Sequence, residues 1–245
     1  MHKPVTLLTI LLALATVNAR ANQITNGSFE NTNNTFVGDA NKVDQLNSGS
    51  TAIPGWTTIN GVPTAWIMNG NPWNIPAADG SYFLDLTGYS NFGTYGGVSQ
   101  SFATTPGTDY VVTFDLGYGG NSGLFSGPVS VLASAGGSSG TFTSGSGTPN
   151  PAVWNLETFG FTATSSMTTL SLIGKTTAGG DYIGLDNVDV EVGTAPAPVP
   201  EPGTYTLLLT GMSLLGCVAR KRLCRYDHPR CPGETRSVIS AWLAW

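Results

Sequence analysis

Apolar and polar residues alternate with a period of two along much of the chain, as they do in strands with one buried face. In YVVTFDLG (110–117), Tyr110, Val112, Phe114 and Leu116 share one face, and Val111, Thr113 and Asp115 share the other. SYFLDLTG (81–88) groups Tyr82, Leu84 and Leu86, and GVSQSFA (97–103) groups Val98, Gln100 and Phe102. PVSVLA (128–133), ETFGFTA (157–163), TTLSLIG (168–174) and IGLDNVDVEV (183–192) continue the series. Turn signals fall between them at Pro54-Gly55, Asp79-Gly80, Pro106-Gly107 and Gly179-Gly180. No helical period of useful length occurs in this region. Seven or more short strands at this spacing predict an all-β fold, a jelly-roll β-sandwich over residues 22–193.

Two stretches are looser. Residues 136–151 (GGSSGTFTSGSGTPNP) are rich in glycine and serine and read as a long loop or a weak edge hairpin. Residues 194–203 (TAPAPVPEPG) are proline-rich and predict an extended, stiff spacer that closes the domain. The last strand holds an anomaly. Asp186 has the parity of Val188, Val190 and Val192, so a regular strand turns its carboxylate inward with the valines. A buried carboxylate needs a partner, and with almost no basic side chain to hand a hard cation such as calcium fits an all-oxygen donor set. A β-bulge that turns Asp186 to solvent is the alternative.

The termini have their own patterns. Lys3 precedes an apolar run over residues 6–17, and Ala19-Arg20-Ala21 offers small residues at the positions a signal peptidase inspects. Residues 1–21 are expected to be a signal peptide, cut before Asn22 or after Ala19, and the protein is expected to be exported. Near the other end, an apolar run over residues 205–219 lies between Pro200-Glu201-Pro202 and Arg220-Lys221-Arg222. It is short for a bilayer span of about 20 residues but long enough for transient insertion, with the basic cluster on the cytoplasmic side. The proline spacer detaches it from the strands, so residues 204–222 are not a helix of the core. Residues 223–245 differ in composition from the rest and read as an atypical, disordered tail.

Charge narrows the function. Between residues 22 and 199, twelve carboxylates face only Lys42 and Lys175, a balance of −10. Such a surface repels phosphate backbones, so nucleic acid is not an expected partner. Both histidines (His2, His228) and all three cysteines (Cys217, Cys224, Cys231) lie outside this region. It therefore contains no Ser-His-Asp or Cys-His site, no zinc site built on His or Cys, and no disulfide framework.

TNGSFE (25–30), IPGW (53–56), DGSYFLDLTG (79–88), GGVSQSFATTPGTDYVVTFDLG (96–117) and IGLDNVDVEV (183–192) occur in an order that resembles the choice-of-anchor C proteins of bacteria. These are galactose-binding-like jelly-roll domains related to a family of plant cell-wall proteins. The resemblance implies a structural calcium joining the first strand to the last, with Glu30 and Asp186 as its side-chain ligands, and it implies polysaccharide binding. VPEP, the apolar run and Arg220-Lys221-Arg222 resemble the PEP-CTERM sorting signal of Gram-negative bacteria that make exopolysaccharide. That likeness implies an exosortase partner that reads Pro200, Glu201 and Pro202, transient anchoring in the inner membrane, and a final place on the cell surface or in the matrix. The tail beyond Arg222 departs from that pattern.

Three functions compete. A non-catalytic polysaccharide binder would stack sugar rings on aromatic side chains in Gly/Asn-rich connections, for which Trp66, Trp73, Tyr89, Phe92 and Tyr95 are candidates; each is also a candidate packing residue. Trp56 and Trp154 read as packing residues outright. A structural matrix component would act by calcium-dependent self-association. A glycosidase would need paired carboxylates such as Asp79 and Asp85, which the Asp79-Gly80 turn separates. The reading adopted is a binder and not an enzyme.

Overall fold

Residues 21–89, 94–121, 125–177 and 182–193 are described in the computed structural model. Within them the strands in chain order are β1 (Val43–Leu46), β2 (Thr57–Ile59), β3 (Thr64–Met68), β4 (Tyr82–Asp85), β5 (Gly97–Ala103) and β6 (Asp109–Tyr118). They continue as β7 (Val129–Ala135), β8 (Ser138–Thr143), β9 (Val153–Thr162), β10 (Met167–Thr177) and β11 (Gly184–Val192). One sheet has the order β1-β3-β4-β11-β6-β9 and the other β2-β5-β10-β7-β8, so the fold is the all-β jelly-roll sandwich that alternation predicts. The predicted signal peptide, the proline linker with its PEP motif, the hydrophobic helix and the tail lie outside the described residues.

The core forms where the alternating faces meet. Leu84, Leu116, Phe114 and Leu185 from the six-stranded sheet pack against Val98, Val131, Leu170 and Leu172 from the other, all fully buried. In stretch 136–151, residues 138–143 form the edge strand β8 and residues 144–151 a loop, so each expectation holds for part of it. The hairpin β7–β8 turns at Gly136-Gly137, both at positive φ, where a side chain would be strained. Pro-Gly and Asp-Gly steps at Gly55, Gly80 and Gly107 likewise sit at positive φ.

Strands β1, β2, β3 and β8 fall outside the seven alternating stretches. β3 reads TAWIM with four of its five residues buried, because it is covered on both faces. Trp66 points into the sandwich, while Ala65 and Ile67 join a second cluster with Val43, Ile75, Phe83, Ala152 and Tyr182. Trp73, Phe125 and Trp154 pack partly against that cluster. It lies on the outer face of the six-stranded sheet, opposite the core, where residues 69–81 cover one end.

This second layer corrects the reading of Asp186. Leu185 pairs with Leu84 and Leu116, all core residues, so Asp186 points to the outer face. The register shifts between Asp186 and Asp189, and Asn187 takes φ 49°. This bulge returns Val188 and Val190 to the core face. Both readings thus hold in part: the strand bulges, yet Asp186 is fully buried, beneath the covering loop and not in the sandwich.

Candidate functional site

Glu30 and Asp186 end on the same loop. Asp186 Oδ2 accepts the N–H groups of Ala78 (2.8 Å) and Asp79 (3.0 Å), and its Oδ1 accepts that of Asn187 (2.7 Å). Glu30 Oε1 accepts the N–H groups of Ser81 (2.7 Å) and Tyr82 (2.6 Å). The partner of the buried carboxylate is thus backbone amide, which the sequence argument did not consider. Burial still pushes the Asp186 carboxyl up to about 8, against the pull of its three N–H bonds and with the charge of Asp115 adding to the rise. No group of three His, Cys, Asp or Glu side chains placed to hold a metal occurs among the described residues.

The aromatic candidates separate sharply. Trp66 has no exposed surface; its ring meets Tyr82 at 5.7 Å and the edge of Phe36 at 5.3 Å, so no sugar can reach it. Tyr95 is half-buried against the core. Tyr89 is 49% exposed and its hydroxyl donates to Asp39 Oδ2 at 2.7 Å. Burial and that bond push the Tyr89 hydroxyl up to about 12. Trp73 is half-buried, and Phe125 meets it edge-on at 6.1 Å. Phe92 lies outside the described residues. Trp56 packs on Phe29 at 5.5 Å, as expected, whereas Trp154 is only half-buried.

Trp73 belongs to a site that sequence reasoning did not assemble. Three loops knit together at one end of the sandwich. Asn121 donates its backbone N–H to Trp73 O and its Nδ2 to Pro72 O, both at 2.7 Å. Asn74 Nδ2 donates to Asn150 Oδ1 at 2.7 Å, and Gly120 N to Pro149 O at 2.8 Å. Trp154 Nε1 donates to Pro76 O at 2.9 Å. The signal lay in the repeated asparagines and prolines of NGNPWNIP (69–76) and TPNPAVWN (148–155), but only the fold brings them together.

The carboxylates do not form a catalytic pair. Asp79 is exposed in the turn before β4, whereas Asp85 is buried and accepts Thr87 N–H (2.9 Å) and Ile183 N–H (3.0 Å). On the rest of the outer face, Asp115 on β6 and Asp189 and Glu191 on β11 line one side; burial and the charge of Glu191 raise the Asp189 carboxyl above its ordinary value.

A family model described as "Protein of unknown function (DUF642)" matches residues 22–184. No curated protein matches the chain. Among solved structures, a Stig cyclase, Fisc, from Fischerella sp. TAU is 18% identical, with a TM-score of 0.50 over 71% of this chain and 98% of its own. TmCBM61 in complex with β-1,4-galactotriose is 14% identical, with a TM-score of 0.41 over 71% of this chain and 99% of its own. The CBM22-1 xylan-binding domain from Paenibacillus barcinonensis Xyn10C is 16% identical, with a TM-score of 0.37 over 65% of this chain and 98% of its own. At such identity the first likeness is one of fold alone, and the other two are weaker.

Proposed function

We propose that this chain, which belongs to the DUF642 family, is an exported, non-catalytic surface or matrix protein whose β-sandwich binds extracellular polysaccharide. The observation that carries the reading is Trp73, a half-buried indole packed on the second cluster and set among exposed asparagines at one end of the sandwich. Apolar ring faces take the C–H faces of sugars, and carboxamides exchange hydrogen bonds with hydroxyls. The region that builds the sandwich has no histidine or cysteine, and its charged groups are carboxylates except for Lys42 and Lys175. Sedimentation with insoluble polysaccharides tests this: the protein is expected to pellet with at least one of them and to release no new reducing ends. Release of reducing ends, or failure to bind any glycan, would contradict it.

Export and sorting belong to the same reading. Cleavage before Asn22 leaves a residue whose side-chain Oδ1 accepts the N–H groups of Ile24 (2.7 Å) and Val190 (3.1 Å), so the mature chain would begin in contact with the last strand. Pro200, Glu201 and Pro202 would be read by an exosortase after transient insertion of residues 204–222. Intact-mass analysis of protein from the native host is expected to show loss of both ends; retention of residues 1–21 would contradict export.

Calcium is the third element of the reading. Glu30 and Asp186 fit a hard cation in charge and donor type, and Asp186 is buried with only N–H groups to offset its charge. A cation there would join the N-terminal segment, the covering loop and β11. Ligand linkage then predicts that calcium at about a hundred times its dissociation constant adds about 2.7 kcal/mol to stability. Thermal unfolding is expected to move up with calcium and down with chelator, at unchanged sedimentation coefficient. An unmoved transition would remove calcium from the account, and a shift in sedimentation would point to self-association.

A further inference from the structure

The chain is acidic, yet the residues that meet at its three-loop end are uncharged. Residues 45–78 and 116–156 contain no Asp, Glu, Lys or Arg. The residues whose hydrogen bonds join the three loops, 72–76, Gly120, Asn121 and 149–154, all come from these two stretches. Asp44, Asp79, Asp115 and Glu157 bound these stretches, all anionic, and Lys42 meets the start of the covering loop through its carbonyl, which accepts the Met68 N–H at 2.9 Å. The surface presents aromatic rings from Trp73, Phe125 and Trp154 beside the carboxamides of Asn74, Asn121 and Asn150. Each of these asparagines commits one half of its side-chain amide: Asn74 Nδ2 to Asn150 Oδ1, and Asn121 Nδ2 to Pro72 O. The other halves are left for a ligand, and a cleft of about 160 Å³ beside Asn74 is lined by Asn69, Gly70, Asn71, Ile75 and Pro76 of the same loop.

We infer that this end is the glycan site and that its ligand is an uncharged polysaccharide, an inference that rests on the binding function proposed above. An anionic glycan brings carboxylates or sulfates to a site with no cationic donor on a protein of the same sign, and desolvating them there has no compensation. A neutral glycan needs only what the loops hold: ring faces for its C–H surfaces and half-committed amides for its hydroxyls. Because no charge pair forms, its binding is independent of salt. Tyr89, the most exposed candidate ring, donates instead to Asp39 and lies outside this site.

Affinity electrophoresis of the purified full chain tests the inference, with neutral galactan, xylan and hydroxyethylcellulose in one set of gels and polygalacturonate and alginate in another. Retardation is expected in at least one neutral gel, unchanged by added salt, and in neither anionic gel. Trp73→Ala is expected to weaken binding about 10- to 30-fold, as loss of a central aromatic anchor does. Asn150→Asp keeps the acceptor for Asn74 on an exposed residue and adds a charge, so it separates loss of binding from loss of folding and is expected to weaken binding about tenfold. Tyr89→Ala is expected to bind as the wild type does. Preferential retardation by the anionic gels overturns the ligand class, and wild-type binding by both Trp73→Ala and Asn150→Asp overturns the location; either result leaves polysaccharide binding standing. No retardation in any gel overturns the proposed function itself.

Discussion

Trp66→Ala is expected to lower the unfolding free energy by about 3–5 kcal/mol, the usual cost of truncating a fully buried aromatic side chain. The indole has no exposed surface and sits centrally in the main core on β3. Its loss removes two aromatic contacts, with Phe36 and Tyr82, and leaves a cavity among β-sheet neighbours that cannot collapse without breaking strand pairs. A domain of this size has about 5–15 kcal/mol in all, so the variant should unfold at much lower urea. Glycan affinity of the fraction that remains folded is expected to match the wild type. The reverse pattern, wild-type stability with lost binding, would return Trp66 to the surface.

Gly27→Ala is expected to destabilise by about 2–3 kcal/mol, at the upper end of the range for overpacking. Gly27 lies in the N-terminal segment that runs beside the bulge of β11, and Val188 N–H donates to its carbonyl at 2.9 Å. A Cβ there would run into the backbone carbonyl of Val188, which cannot swing aside as a side-chain tip can. The segment would have to lift, loosening Phe29, which is fully buried, and drawing Glu30 away from the amides of Ser81 and Tyr82. Urea unfolding reads the effect. An unchanged midpoint would mean that residues 22–30 do not seat against the last strand.

These two residues show what a sequence reveals and what it hides. Strands with one solvated face, such as β6 and β10, were legible because burial alternates along them. β3 was not, because cover on both faces erases alternation, and so Trp66 read as part of a Gly/Asn-rich connection. Parity found that Asp186 is buried but put it on the wrong face, since the bulge falls one residue later. The Asn187 beside it was the available sign, because asparagine adopts positive φ more readily than most residues. The binding end was illegible for a different reason. The Asn74–Asn150 and Asn121–Pro72 bonds join positions 76 and 49 apart and exist only once the loops meet.

The covering loop over residues 69–81 links these features. Its amides are held by Asp186 and Glu30 at one end, and its asparagines and Trp73 form the site at the other. The same segment therefore closes the second hydrophobic cluster and presents the binding surface. Structural and binding residues lie side by side, which is why variants need a folding readout and a ligand readout together.

Chemical-shift mapping of the isotope-labelled protein, titrated with the neutral oligosaccharide whose polymer binds best, tests the central claim most directly. The side-chain signals of Trp73, Asn74, Asn121 and Asn150 are expected to move together and saturably. Shifts centred on Asp115, Asp189 and Glu191 across the open part of the outer face, or beside Tyr89, with the three-loop end unmoved, would contradict the account.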